Sequence, residues 1–378
     1  MPNLRRIDPG LLLVAAAAVA VTVEKGVALT HPGNFLLFRA TFHRLVSGAD
    51  IYNNTGFLYS PTFALLFAPF AILPLALGLL FWNGVNALAL YGGLTKLLPA
   101  RAAHLVLLIV FLDLIRSLQN SQSNALVAGL MVLAFVALER DRLGAGASAI
   151  VTGAFIKIYP LAAGTLGLLR PRRWRFLAVF LALGLLFVAL PLIALPPAAL
   201  VATYREWWSV THRDTILQGQ SVMRVLSAIV GSEVPTIPIQ LVATLLLLAP
   251  LAAHRRCWSD AGLRMRWLCS LLVFCVIFNH QAESPSFVVA SSGVAIWYVT
   301  SPRARWRTAL LALMLALETV PHLFFVPEGW YKHVIEPNAL DAVPCFIIWL
   351  VIQYELWRWP DSRNELNVSP REAVTNLP

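Results

Sequence analysis

Residues 119–142 read QNSQSNALVAGLMVLAFVALERDR: six amide and hydroxyl side chains, an apolar run from Ala125 to Leu138, then Glu139, Arg140, Asp141 and Arg142. Such a run makes a helix that crosses most of a ~30 Å hydrocarbon layer, with uncharged polar groups at one mouth and arginines at the other. The same alternation recurs on both sides of it. Of 378 residues, 58% are hydrophobic and only 13% charged, far from the composition of soluble domains. Apolar segments occupy residues 10–29, 61–97, 102–117, 122–139, 145–169, 174–195, 235–254, 263–279, 285–300, 306–325 and 339–357. Backbone groups in lipid need internal partners, and the short alternating segments of a barrel are absent, so the expected fold is an all-α polytopic membrane protein. If 61–97, broken at Pro69 and Pro74, crosses an odd number of times and 145–169, interrupted by Lys157 and Pro160, an even number, a bundle of about 12 transmembrane helices (roughly 10–13) results.

Charge supplies the orientation. The connections 1–9, 96–101, 139–142, 170–175, 254–266, 303–307 and 358–378 hold 20 of the 29 Lys and Arg. Those at 30–60, 116–121, 196–233, 279–284 and 326–338 hold 7, and Lys25 and Lys157 lie inside apolar segments. The positive-inside rule then places the first set, with both termini, in the cytoplasm. The net charge of +10 is dispersed among these connections, so it marks topology and gives no basic surface for nucleic acid. Glu24 and Lys25 follow the first apolar run without a small-residue cleavage site, so residues 10–29 read as a span rather than a removable leader. Cys257, Cys269, Cys275 and Cys345 are scattered, with neither disulfide nor metal-ligand spacing. No phosphate-binding loop or dinucleotide turn is present, and no cofactor or metal is expected. Residues 1–359 read as one transmembrane domain and 360–378 as a polar, disordered cytoplasmic tail.

Three outer clusters carry the chemistry. In the first connection, Phe35, Leu36, Phe38, Phe42 and Leu45 form an apolar stripe at helical spacing, which predicts an interfacial helix. Arg39 and Arg44 project elsewhere, available to a lipid phosphate; simple anchoring is the alternative. In the second, Gln119 to Asn124 would be costly facing lipid, so they line a wet cavity or one another, with Gln122 and Asn124 suited to a sugar. In the third, FNHQAESP (278–285) sets His280 three residues from Glu283 at a helix end, a candidate for acid–base work, with a helix cap as the competing reading. Lys157 needs an anionic partner: a phosphate headgroup, Asp113 or Glu318. Further outer polar groups are Tyr204, Arg205, Trp207, Trp208, Arg213, Asp214, Gln218, Gln220 and Ser221, then Trp330, Tyr331, Lys332 and His333; the aromatic ones read as an interfacial belt.

Taken in order, NF (34–35), GADIYN (48–53), LYSPTFALLFAPFAILP (58–74), SQSNAL (121–126), IKIYP (156–160), RPRRWR (170–175), YREWW (204–208) and NHQAESPSF (279–287) resemble glycosyltransferase family 87, over about residues 30–300. The resemblance implies a C-type glycosyltransferase-like helical bundle with a cavity on the outer side. It implies transfer of a mannose- or arabinose-like sugar, with inversion, from a polyprenyl-phosphate carrier to a lipid or polysaccharide acceptor. The expected setting is a bacterial plasma membrane, with the lipid bilayer and no nucleic acid as partner. The family usually carries an Asp general base where this chain has Asn34, and an amide cannot take that proton. Glu283, and then Asp50, are the replacement bases, with His280 beside Glu283. Substrate contacts are expected from Asn34, Arg39, Arg44, Tyr59, Gln122, Asn124, Lys157, Gln220 and Lys332. The alternative is a non-catalytic binder or translocator of lipid-linked glycans, motivated by Asn34.

Overall fold

The structure is a computed structural model that describes residues 8–27, 33–213, 218–322 and 326–360. Arg5 and Arg6, Asp214 and the tail beyond Pro360 lie outside the described residues. Among those described, the secondary structure is helical throughout. The helices used below are α1 (Pro9–Thr22), α2 (Asn34–Val46), α3 (Pro61–Leu66), α4 (Leu75–Leu97), α5 (Ala100–Ile109), α6 (Phe111–Gln119), α7 (Asn124–Glu139), α8 (Leu143–Ile156), α9 (Arg173–Ala189), α10 (Pro197–Arg213), α11 (Thr236–Ala253), α12 (Ala261–Ile277), α13 (Phe287–Val299) and α14 (Ala342–Trp357).

The expected count of about 12 spans is not supported by helix length and composition. Among the described residues, five helical stretches are long and apolar enough to cross a membrane: Pro9–Gly26, Leu75–Leu97, Arg173–Ile193, Thr236–Ala253 and Tyr331–Trp357. A sixth results if α5 and α6, bent by 56° at Val110, act as one. Asn124–Glu139, Leu143–Ile156 and Ser284–Val299 are apolar but shorter. The reason is local. An apolar run in sequence need not be one helix when proline removes a donor and blocks the preceding turn. The 61–97 run breaks after Leu66 and again at Pro74, whose ψ of 144° starts α4 afresh. The 145–169 run breaks at Lys157, which is extended (φ −137°, ψ 136°), and resumes as a tight 3-10 turn over Tyr159–Ala163.

The centre of the bundle is α7, packed on α4 and α8, with Val127, Ala128, Met131 and Val132 fully buried. Gly129 is why α4 comes so close: a Cβ there would lie 2.4 Å from the Ala89 carbonyl carbon. By contrast, only 11% of the α9 stretch and 28% of α11 are covered by protein, so their leucine-rich faces are left to lipid.

The connections sorted by charge also bond among themselves. In the basic set, Glu139 holds Arg264 at 2.6 Å and Arg170 at 3.2 Å, and the end of α14 joins it: Glu355 holds Arg307 at 2.9 Å and Arg266 at 3.2 Å, and the Trp357 carbonyl meets His254 at 2.9 Å. In the other set, Asn34 Nδ2 donates to the Asn120 carbonyl at 3.1 Å, Trp207 Nε1 to the Leu58 carbonyl at 3.1 Å, and the Gln220 amide to the Ala282 carbonyl at 2.7 Å.

One surface helix is corrected in detail. The apolar stripe of α2 is Phe35, Phe38, Phe42 and Leu45; Leu36 is 41% exposed. The stripe lies on protein rather than on the membrane surface: the Phe38 ring sits 4.9 Å from Tyr59, 5.0 Å from Phe63 and 5.3 Å from Phe67, edge to face.

Candidate functional site

A cavity of about 720 Å³ opens where α8 breaks, between the connection at 47–60, α10, α11 and the end of α12. Asn34, Tyr59, Gln122, Lys157, His280 and Glu283 all line it. These residues come from five separate stretches of sequence, and each is delivered by a local interruption. Gln122 follows Ser121, whose φ of +51° turns the chain between α6 and α7. Lys157 sits at the extended break after α8. Glu283 precedes the 3-10 turn Ser284–Ser286 that starts α13, and its amide donates to Ser286 Oγ at 3.3 Å. The competing reading holds as well: the Glu283 side chain accepts from the Ser286 backbone in a reciprocal capping box, while the residue stays exposed at the cavity wall.

The polar groups form one chain of hydrogen bonds. Gln122 Nε2 donates to Glu283 Oε2. Asn124 Nδ2 donates to Gln122 Oε1 at 2.6 Å and to the Pro285 carbonyl at 2.9 Å. Lys157 Nζ donates to Asn124 Oδ1 at 2.6 Å and to Gln122 Oε1 at 3.4 Å, and lies 5.9 Å from the centre of the Tyr59 ring. Asn124 is fully buried and Gln122 is 5% exposed, so the amides are desolvated and committed to orienting the two charged ends. Burial, reinforced by the Glu283 carboxylate, holds the Tyr59 phenol above its ordinary range, so it stays a protonated donor. His280 Nδ1 lies 3.4 Å from Gln240 Nε2, another wall residue. Behind the ammonium, Ser60 Oγ donates to the Phe155 carbonyl, which the break at Lys157 would otherwise leave without a helical partner.

The opposite wall is apolar: Ile156, Ile158, Leu161, Ala162, Phe274 and Phe278. Ile158 and Leu161 are 53% and 51% exposed, so this apolar lining continues onto the outer surface of the protein. The result is a chamber with a carboxylate, an ammonium and amides on one side and a hydrocarbon surface on the other.

Several expected site residues are elsewhere. Asp50 Oδ1 accepts the Tyr52 amide at 2.7 Å and the Asn53 amide at 3.1 Å, so it closes its own turn and lines no part of the cavity. Arg44 is exposed and donates to the Asp50 carbonyl at 2.6 Å; Arg39 is half-buried on α2. Neither lines the cavity, because the buried stripe of α2 sets the rotation of that helix. Gln220 supports the site from behind through Ala282, with its Nε2 3.4 Å from the Glu336 carbonyl. Lys332 is exposed and outside the cavity walls. Asp113 and Glu318, considered as partners for Lys157, instead meet Arg116 at 2.6 and 3.1 Å. Missed in the sequence were Thr211, Gln240, Asn279 and Gln281 in the walls, and Trp207, whose ring lines the cavity rather than only an interfacial belt.

Comparison with known sequences places residues 57–278 in a match to the family described as glycosyltransferase family 87. The matched stretch includes Tyr59, Gln122, Asn124 and Lys157 and stops two residues before His280. Among curated proteins, none matches the chain.

Proposed function

The chain belongs to glycosyltransferase family 87, a family of membrane glycosyltransferases, and from that premise we propose that it moves a mannose- or arabinose-like sugar from a polyprenyl-phosphate carrier to a lipid or polysaccharide acceptor. The reaction takes place on the extracytoplasmic side of a bacterial plasma membrane, with both termini in the cytoplasm. The observation that carries this reading is the shared cavity of Glu283 and Lys157, polar on one wall and apolar on the other. Its volume of about 720 Å³ suits a sugar phosphate with the first part of a prenyl tail.

Glu283 takes the proton of the acceptor hydroxyl while that oxygen bonds to the anomeric carbon. The bond from that carbon to the phosphate oxygen breaks on the opposite face, its electron pair leaves with the phosphate, and configuration inverts. Lys157 stabilises the charge gathering on the departing phosphate. Gln122 and Asn124 hold the two ends in register, and Tyr59, Asn34 and His280 contact the sugar or phosphate.

The Asp-to-Asn departure also has a local account. Asn34 Nδ2 donates to the Asn120 carbonyl at 3.1 Å, and the Asn34 amide reaches the same oxygen at 3.4 Å. A carboxylate would face that carbonyl without a proton to give. Position 34 thus joins α2 to the amide-bearing turn, and the base lies at Glu283.

The test is transfer from radiolabelled polyprenyl-phosphate mannose or arabinofuranose to membrane lipid extract by purified protein. Glu283→Gln should lower transfer by about 10²–10⁴-fold, the range for loss of a general base, and Lys157→Met by ~10²–10³-fold, as for a lost transition-state donor. Tight donor binding without transfer by the wild type would replace this reading with that of a binder or translocator.

A further inference from the structure

The cavity explains why Glu283 is accessible but not what holds it there. Ser284, the next residue, is gripped by Arg116, whose Nη1 donates to Ser284 Oγ at 2.6 Å and to its carbonyl at 3.4 Å. The same guanidinium meets Asp113 Oδ1 at 2.6 Å and Glu318 Oε1 at 3.1 Å. Around this centre, Ser291 Oγ donates to Asp113 Oδ2, Thr319 Oγ1 donates to Glu318 Oε2 at 2.9 Å, and Ser284 Oγ lies 3.0 Å from His322 Nε2. Asp113 is 1% exposed, Glu318 0% and Arg116 9%. The end of α6, the start of α13 and the stretch 315–322 therefore meet at one side chain.

A buried ion cluster is a poor device for stability alone, since desolvation offsets most of the attraction and apolar replacements often do as well; its better-attested use is to select one arrangement of the chain over its neighbours. The planar fork of arginine serves a carboxylate on its own helix, a second carboxylate and a hydroxyl from two separate nitrogens in fixed directions; an ammonium is a point charge on a flexible stem and fixes none of those directions. Arg116 itself lines no part of the cavity.

We propose that Arg116 is a positioning residue for Glu283: by holding Ser284 it sets, through one peptide unit, where the neighbouring carboxylate points. This rests on the reading of Glu283 as the base. A base displaced from the acceptor hydroxyl slows the chemical step, whereas donor binding by Lys157 and Gln122 is untouched.

The experiment compares steady-state transfer by Glu283→Gln, Arg116→Lys, Ser284→Ala and the Arg116→Lys/Ser284→Ala double variant in lipid nanodiscs, with melting temperatures recorded alongside. Ser284→Ala removes one hydroxyl and leaves both ion pairs, so it reports even where Arg116→Lys fails to fold. The expected result is a kcat about 10–100-fold lower in Ser284→Ala and Arg116→Lys with KM for the donor unchanged, and a double variant no worse than Arg116→Lys because the two act through one contact. Folded single variants with wild-type kcat, or with raised KM and unchanged kcat, overturn the inference and leave the base in place. Wild-type transfer by Glu283→Gln overturns the base assignment instead.

Discussion

Gly219 tests whether the Glu283 turn is held from behind. It has φ of +42°, and a Cβ added there would stand 2.4 Å from the Ala282 carbonyl oxygen and 2.8 Å from that of His280. Gly219→Ala therefore carries two costs. Holding a non-glycine residue in a left-handed conformation costs about 1–3 kcal/mol. The Gln220 amide bond to Ala282, now 2.7 Å, must also stretch or break, which adds ~0.5–1.5 kcal/mol. The clash is with backbone, so no flexible side chain can absorb it, and the relief is a displacement of the His280–Glu283 turn. A local loss of ~2–4 kcal/mol and a shift approaching 1 Å should reduce transfer by about 10²-fold. The assay is transfer from labelled donor beside thermal unfolding in the same detergent. Gly84→Ala is the matched control, since an added Cβ there meets nothing within 4 Å; it should keep full activity and melt at or slightly above wild type. Transfer by Gly219→Ala within twofold of wild type, with an unchanged melting curve, would refute the claim that this contact shapes the site.

Glu139→Gln should leave Arg264, whose side chain is 5% exposed, with the Trp258 carbonyl at 2.6 Å and at most one bond from the new amide, and cost about 1–3 kcal/mol in thermal unfolding; adding Arg264→Met should restore much of it, and a double variant as unstable as the single would contradict the pairing. Asn34→Asp should give transfer no higher than wild type and should not revive Glu283→Gln; revival would return the base to position 34. Gly129→Ala forces α4 and α7 apart, because its Cβ would be 2.5 Å from the Ala89 oxygen, and should lower stability by ~1–3 kcal/mol, read as a drop in melting temperature.

Much of the site was legible in the sequence because polar groups inside apolar segments have so few places to go. Gln122, Lys157 and Glu283 cannot be left facing hydrocarbon, and they line one chamber; Asn124, expected beside them as a substrate contact, is fully buried behind the wall and reaches it only through Gln122 and Lys157. What was not legible was rotation and partnership. Arg39 and Arg44 had the right charge and face by spacing, but the direction of α2 is decided by Phe38 against Tyr59, Phe63 and Phe67, contacts made across a loop. Arg116 looked like one more outer charge, since Ser284 and Glu318 lie far along the chain and no periodicity links them to it. The number of spans was over-read because hydropathy registers apolar length and not helical continuity. The breaks at Pro74 and Lys157 were visible in the sequence; the short helical extent of Asn124–Glu139, Leu143–Ile156 and Ser284–Val299 was not.

The hydroxyl that Ser60 lends to the Phe155 carbonyl restricts how this chain can diverge. That oxygen has no other donor supplied by its helix once the chain leaves α8 at Lys157, and the same hydroxyl accepts the Phe63 amide at 3.0 Å as the cap of α3, so one side chain closes two helix ends. Losing that hydroxyl would loosen the end of α8 and the start of α3 together, beside the connection that Trp207 ties down through the Leu58 carbonyl.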